Sequence, residues 1–156
     1  VARRADLLEQ VAANIKKSAT VEITIIPMDL GTLEAGEQLV QAVAAKNLQV
    51  DFLVNNAASS RGNDRVPVVE MPTDEWMRVI TINLHGTFLM SRAFARHLVA
   101  QGEGGAIINI SSVAGKALPP RATAYAASKA GIQALKKERP TLKINPIMRR
   151  IRTELD

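Results

Sequence analysis

The sequence predicts an α/β fold in which a doubly wound parallel sheet is covered by helices on both faces. Segments with the apolar spacing of helices alternate with short apolar runs along the chain, and this order is typical of right-handed βαβ units. The short runs are continuously apolar, as in parallel strands that are buried on both faces. A chain of 156 residues can bury a hydrophobic core, and we expect one domain over residues 1–156.

The first half of the chain predicts two helices and two strands. Residues 2–17 carry apolar side chains at helical spacing and predict an amphipathic helix. The run VEITIIPMDL at 21–30 predicts a strand, because its β-branched residues suit both faces of a sheet. A second helix is expected from about Leu33 to Lys46. VDFLVNNAA at 50–58 predicts a short buried strand that continues into a polar loop.

The second half predicts a long helix, a strand and a shorter helix. A Gly/Pro-punctuated loop covers 59–72, and Thr73 with the acidic residues after it predicts the capped start of the longest helix. GAIINISS at 105–112 predicts a strand, and the last helix is expected to end before Pro140. One broad apolar face of the long helix would hold Trp76, Val79, Ile80, Leu84, Phe88 and Leu98.

Tyr125 and Lys129 lie one turn apart in the last helix, so their side chains share a face. A tyrosine hydroxyl titrates near pH ~10, and a neighbouring ammonium group favours the phenolate. Such a pair suits general acid/base chemistry at neutral pH. Ser112 ends the preceding strand and could hold a substrate oxygen in the same cavity. Ligands bind at this edge of open α/β sheets, although a surface tyrosine beside a solvated lysine is the alternative.

The segment INISSVAG, followed by YAASKAG, resembles the active-site segment of the short-chain dehydrogenase/reductase family, with its serine and its Tyr-x-x-x-Lys. The resemblance extends over nearly the whole chain and is greatest to 3-ketoacyl-carrier-protein reductases. It implies a Rossmann-like fold and an NAD(P)-dependent oxidoreductase that interconverts an alcohol and a carbonyl. It also implies that Tyr125 is the acid/base, that Lys129 favours its phenolate and holds the nicotinamide ribose, and that Ser112 orients the carbonyl.

Further positions are similar to family motifs. Asn83, in TINLHGTF, resembles the helix asparagine that anchors the water of a proton relay. NNAA resembles the family's Asn-Asn-Ala-Gly element, with Ala58 in place of glycine, although an ordinary Asn-rich turn is the alternative. Asp29 resembles an acid that contacts the adenine, and a turn or cap residue is an equally good interpretation. The cofactor-binding residues of the NNAA element would be Asn55, Asn56 and Ala57.

The first residues bear on the choice of cofactor. Val1 to Arg4 resembles the end of the family's second strand, where an acid binds the ribose hydroxyls and a basic residue accommodates an extra phosphate. No acid is present and Arg3 is well placed, so the resemblance favours NADP(H) over NAD(H). Two solvated arginines near a helix start are an equally good interpretation. Thr153 resembles the threonine beyond the sixth strand and is also expected to contact the cofactor.

Relative to the family, the chain begins where a second strand ends and stops before a seventh strand and a substrate lid. The first βαβ unit, with the glycine-rich turn that holds the pyrophosphate, is therefore expected to be missing. The chain is then either part of a complete enzyme or a shortened relative, and intact chemical residues favour the first. The alternative function is a catalytically dead Rossmann-like interaction module. A 3-ketoacyl thioester, a steroid, a sugar or a simple ketone would all be compatible substrates.

Composition and charge exclude several other classes of function and partner. Most of the net charge of +5 lies in residues 136–156 without interleaved aromatic residues, so a solvated tail is favoured over a nucleic-acid interface. The absence of cysteine excludes disulfides and fits a cytoplasmic location. His85 and His97 lack a second ligand cluster, so no metal is expected. No apolar run approaches the ~20 residues of a membrane span. The expected partners are a small carbonyl or alcohol substrate and, by resemblance, further copies in a homo-dimer or homo-tetramer.

Overall fold

The structure is a computed structural model that describes residues 1–59, 62–117 and 119–135. Two of the three predicted strands are present, and the predicted helices are present with bounds that differ from the expected ones by a few residues, together with a short helix at Ala114–Ala117 that was not predicted. None of the helices in these ranges combines the length and the apolar character needed to cross a membrane. A π turn at Thr81–His85 joins the helix Thr73–Ile80 to the helix Gly86–Gln101, and a 3-10 turn covers Val68–Glu70. The elements are α1 Ala5–Ser18, α2 Ala35–Ala45, β1 Phe52–Asn55, α3 Thr73–Ile80, α4 Gly86–Gln101, β2 Ala106–Asn109, α5 Ala114–Ala117 and α6 Thr123–Leu135.

Strands β1 and β2 form a parallel pair in which Asn55 lies opposite Asn109. On one face Leu53 packs against a core formed by α2 and α4, where each fully buried leucine or phenylalanine contributes about 1.5–3 kcal/mol. On the other face Phe52 and Val54 are about half exposed. Within the described residues, helices therefore cover one face of the sheet, whereas the sequence predicts cover on both faces. The core cluster consists of Ala35, Leu39, Val43, Met90 and Phe94.

The strand predicted at 21–30 is wrong as far as the described residues show. The segment forms one isolated parallel bridge, between Pro27 and Ala2, and the Met28 N–H donates a 2.9 Å hydrogen bond to the Ala2 carbonyl oxygen. A strand needs a ladder of such pairs with a neighbouring backbone, and the described chain supplies this single pair. The apolar pattern was nevertheless informative, because Ile26 and Leu30 pack against the core.

The long helix predicted after residue 72 is present, but its start and its apolar face differ from the prediction. Thr73 is the first helical residue, and Pro72 occupies the N-cap without a side-chain hydrogen bond, so the predicted cap is wrong. The π turn adds a residue to one turn and shifts the register of the helix face that follows. Phe88 is exposed, contrary to the prediction, whereas Val79 and Leu98 are buried as expected.

Candidate active site

Helix α6 brings Tyr125 and Lys129 to one face, as their spacing predicts. The Lys129 Nζ lies 5.8 Å from the centroid of the Tyr125 ring. The lysine is 3% exposed, and its Nζ donates a 2.9 Å hydrogen bond to the carbonyl oxygen of Ile110, the residue after β2. The carboxyl end of β2 therefore fixes the ammonium group beside the tyrosine.

Burial shapes the electrostatics of Lys129. Loss of hydration lowers the pKa of Lys129 from its ordinary value of 10.5. An ammonium group has three N–H donors, and within the described ranges Ile110 supplies its one hydrogen-bond acceptor. The remaining donors are therefore available to a bound ligand. In a site of low dielectric, the charge also acts more strongly on a neighbouring phenol than it would in water.

Asn83 lies fully buried in the π turn. Its Oδ1 accepts a 2.7 Å hydrogen bond from the Ser59 N–H, and its Nδ2 donates to the Ser59 carbonyl oxygen and to the Ser128 Oγ, both at 3.1 Å. The Ser128 hydroxyl in turn donates to the Tyr125 carbonyl oxygen at 2.7 Å. The buried amide thus has its partners, and it links the loop after β1 to the helix that carries the tyrosine. π turns are frequent at functional sites.

The loop between β2 and α5 is held against α6. The Ser112 Oγ accepts a 3.2 Å hydrogen bond from the Ala114 N–H at the start of α5. The Ser111 hydroxyl donates to the Lys129 carbonyl oxygen at 2.9 Å, and the Gln133 Nε2 donates to the Ser111 Oγ and to the Ser112 carbonyl oxygen. The structure therefore anchors the Ser112 segment to the helix of the Tyr–Lys pair. Sequence reasoning missed these anchoring contacts, since they join segments that only the fold brings together.

The NNAA element divides into one inward-facing residue, Asn55, and three exposed residues, Asn56, Ala57 and Ala58. The Asn55 Nδ2 donates to the Asn109 Oδ1 at 2.8 Å and to the Ser91 Oγ at 3.0 Å. This amide therefore joins β1 to β2 and α4. Asn56 and Ala57 follow at the carboxyl end of β1 and are exposed.

The other cofactor-binding candidates are not brought to the Tyr–Lys pair. Arg3 and Asp29 flank the bridge near the chain start and are exposed, and no hydrogen bond or ion pair in the described ranges joins either residue to Tyr125. The Asp29 Oδ1 accepts a 2.9 Å hydrogen bond from the Gly31 N–H, which agrees with the turn interpretation. Thr153 lies outside the described residues.

A charged cluster in the loop before α3 and on α3 itself was not predicted. It consists of Asp64, Arg65, Glu75 and Arg78. The guanidinium of Arg78 donates to the Glu75 carboxylate at 2.8–3.2 Å, and this hydrogen bonding raises the pKa of Arg78 and lowers the pKa of Glu75. Their spacing on one helix face was a usable signal. Arg65 lies with its guanidinium carbon 5.0 Å from the centroid of the Tyr125 ring. The sequence gives no indication of that contact, because it depends on how the loop folds back.

The model of the short chain dehydrogenase family matches residues 1–140. An uncharacterized oxidoreductase of Escherichia coli K12, YohF, is 38% identical over 117 residues, which are 75% of this chain and 45% of that protein. The 3-oxoacyl-[acyl-carrier-protein] reductase of Synechocystis is 33% identical over 111 residues, 71% of this chain and 43% of that protein.

Solved structures agree with these similarities. An NAD+-bound xylitol dehydrogenase superposes with a TM-score of 0.77 at 34% identity, over 85% of this chain and 50% of that one. The chain thus spans about half the length of the relatives it matches. The family match over residues 1–140 includes both strands and α6.

Proposed function

The chain belongs to the short chain dehydrogenase family, and from that premise we propose that it forms the catalytic part of an NAD(P)-dependent oxidoreductase. The proposed enzyme interconverts an alcohol and a carbonyl. The observation that carries the proposal is the position of the Lys129 ammonium group, buried and 5.8 Å from the Tyr125 ring centroid. A buried cation next to a phenol is an arrangement for proton transfer at a substrate oxygen.

The donor set at this site suits a nicotinamide cofactor. Lys129 has N–H donors beyond the one that Ile110 accepts, and a ribose diol offers matching acceptors. The exposed backbone of Asn56 and Ala57 lies at the carboxyl end of a parallel strand, where dinucleotides bind in open α/β sheets. When bound, the cofactor supplies or accepts the hydride.

The residues of this chain would then move and stabilise the proton. Tyr125 donates its hydroxyl proton to the carbonyl oxygen during reduction and takes a proton back during oxidation. Lys129 stabilises the negative charge that develops on the phenolate. Ser112 holds the carbonyl oxygen. Asn83 supports the proton relay, and its bonds to Ser59 and Ser128 keep the loop and α6 in register.

We further propose NADP(H) as the preferred cofactor. Arg3 is exposed directly after the bridging residue Ala2, and a guanidinium group there would pair with the extra phosphate. The similar xylitol dehydrogenase is NAD+-bound, so the preference is a property to be tested on this protein. The homo-dimer or homo-tetramer and the cytoplasmic location expected from the sequence stay predictions.

Turnover of the full-length protein with NADPH, with NADH and as the Tyr125→Phe variant tests both proposals. Phenylalanine keeps the ring beside Lys129 and Arg65 but removes the transferable proton. Turnover of Tyr125→Phe should fall by about 10²–10⁴-fold, while cofactor affinity stays within a few-fold of the wild type. Wild-type turnover should be faster with NADPH than with NADH.

Unchanged turnover of Tyr125→Phe would refute the acid/base assignment. Equal or faster turnover with NADH would refute the cofactor preference alone. The cofactor affinity of the variant is the control, because a fold defect at α6 would weaken binding as well as turnover.

A further inference from the structure

Arg65 projects from the loop before α3 onto the proposed acid/base. Its guanidinium carbon lies 5.0 Å from the centroid of the Tyr125 ring, within the range of a cation–π contact. The side chain is 45% exposed, so one part of it rests on the ring while another part remains accessible to a ligand.

A buried carboxylate positions this arginine. Asp64 is 1% exposed, and its two oxygens lie 3.9 Å from the Arg65 Nε and from the Arg78 Nη2. Neither oxygen has a hydrogen-bond partner among the described residues. Because an uncompensated buried charge is strongly destabilising, the two guanidinium groups are what make the position of Asp64 tolerable. Arg78 is fixed in turn by Glu75 and by the Ser59 hydroxyl.

The donors of Arg65 are not consumed by these contacts. Within the described ranges no hydrogen bond joins its Nη atoms to any protein acceptor, and the Asp64 contact involves Nε. An arginine presents a planar fork of donors that matches a carboxylate in a bidentate pair. Two cations, Arg65 and Lys129, contact the Tyr125 ring among the described residues, which favours an anionic ligand beside it.

We infer that Arg65 determines substrate specificity by binding a carboxylate of the substrate, so that the substrates are keto acids and the corresponding hydroxy acids. The inference rests on the proposed function, since it places the reacting carbonyl at Tyr125 and the carboxylate at Arg65. The ring contact and Asp64 hold the guanidinium in place before the substrate arrives, which limits the entropy lost on binding.

Calorimetric titration of the full-length protein measures this binding without turnover. The probes are 2-ketobutyrate and its neutral primary amide, each titrated with and without saturating NADP+. The variants are Arg65→Gln, Arg65→Lys and the matched control Arg92→Gln. Arg92 also stacks on an aromatic ring, 5.4 Å from the centroid of Phe88, but it lies on α4 and is not part of the charged cluster around Asp64.

The wild type should bind the keto acid more tightly than the amide. Arg65→Gln should raise the dissociation constant of the keto acid roughly ten- to hundredfold, the expected size for a lost charge-assisted pair. Arg65→Lys should recover part of that loss, and Arg92→Gln should leave it unchanged. The amide should bind Arg65→Gln and the wild type alike.

Three results would overturn the inference. These are equal binding of acid and amide by the wild type, no detectable binding of the keto acid, and an unchanged dissociation constant in Arg65→Gln. The inference would also be overturned if inorganic phosphate displaced the keto acid at a concentration below that of the keto acid, because the ligand group of Arg65 would then be a phosphate and not a carboxylate. The proposed function fails separately, through the turnover of Tyr125→Phe.

Discussion

At the scale of single residues, the fold buries the ammonium group of Lys129 and thereby changes its pKa. A lysine is rarely buried, and here the carbonyl oxygen of Ile110 and the neighbouring tyrosine ring partly replace its water. Desolvation lowers its pKa below 10.5. The folded protein therefore binds fewer protons than the unfolded chain in the interval between the lowered pKa and 10.5, and the free energy of unfolding rises with pH across that interval.

This linkage gives a prediction for Lys129→Met. As the pH rises towards 10.5, the free energy of unfolding of the wild type should rise relative to that of the variant, because the penalty for burying the ammonium group disappears as it deprotonates. Urea unfolding followed by the fluorescence of Trp76, the one tryptophan in the chain, measures the difference. Lys16→Met, at an exposed position of α1, is the control. Parallel pH profiles for the wild type and Lys129→Met would contradict the prediction.

Single residues also show which features of the site can be predicted from the sequence. The Tyr125–Lys129 pair was predictable, because the spacing along one helix fixes the relative position of its side chains. Asn83 was predictable as a position, but its partners Ser59 and Ser128 were not. The Arg65–Tyr125 contact could not be predicted either. Such contacts depend on where loops return in space, and a sequence pattern does not encode that distance directly.

At the scale of elements, the packing of α2 on α4 holds the core under β1. Gly36 lies at this crossing, and a Cβ added there would lie 2.8 Å from the Leu89 carbonyl oxygen and 3.0 Å from the Ala93 Cβ. Since one of these atoms is backbone, it cannot move aside without shifting the helix. Because Gly36 has no side chain, α2 and α4 can pack at this short distance.

Gly36→Ala should lower the free energy of unfolding by about 1–3 kcal/mol, the usual cost of overpacking, even though alanine has the higher helix propensity. Urea unfolding measures this change. Gln41→Ala, on the exposed face of the same helix, should stay within about 0.5 kcal/mol of the wild type. A Gly36→Ala variant as stable as the wild type would show that the crossing tolerates the extra carbon.

Elements divide into those that local pattern determines and those that need a neighbour. The helices other than α5 were predicted because apolar spacing and the proline and glycine positions are local signals. The segment 21–30 has the composition of a strand, yet Ala2 is its one bridging partner among the described residues. The π turn around Asn83 was also unpredicted, since no sequence periodicity separates it from an ordinary helical turn.

At the scale of the whole molecule, the alternation of elements sufficed for the α/β fold class, and the match over residues 1–140 established the family. The chain spans about half the length of the relatives it matches. The basic tail, with Thr153, lies outside the described residues. We propose that Tyr125 transfers the proton and Lys129 stabilises its phenolate while a hydride passes between a nicotinamide and the carbonyl carbon.

The most direct test is deuterium transfer from [4-²H]NADPH by the full-length protein to a panel of carbonyl compounds, measured by mass spectrometry of the alcohol product. The panel holds a 2-keto acid, a 3-ketoacyl thioester and a cyclic ketone. The wild type should form at least one alcohol labelled at the former carbonyl carbon, and Tyr125→Phe should form almost none. Absence of labelled product from the wild type, as for an inactive interaction module, or equal labelling by the variant, would contradict the proposal.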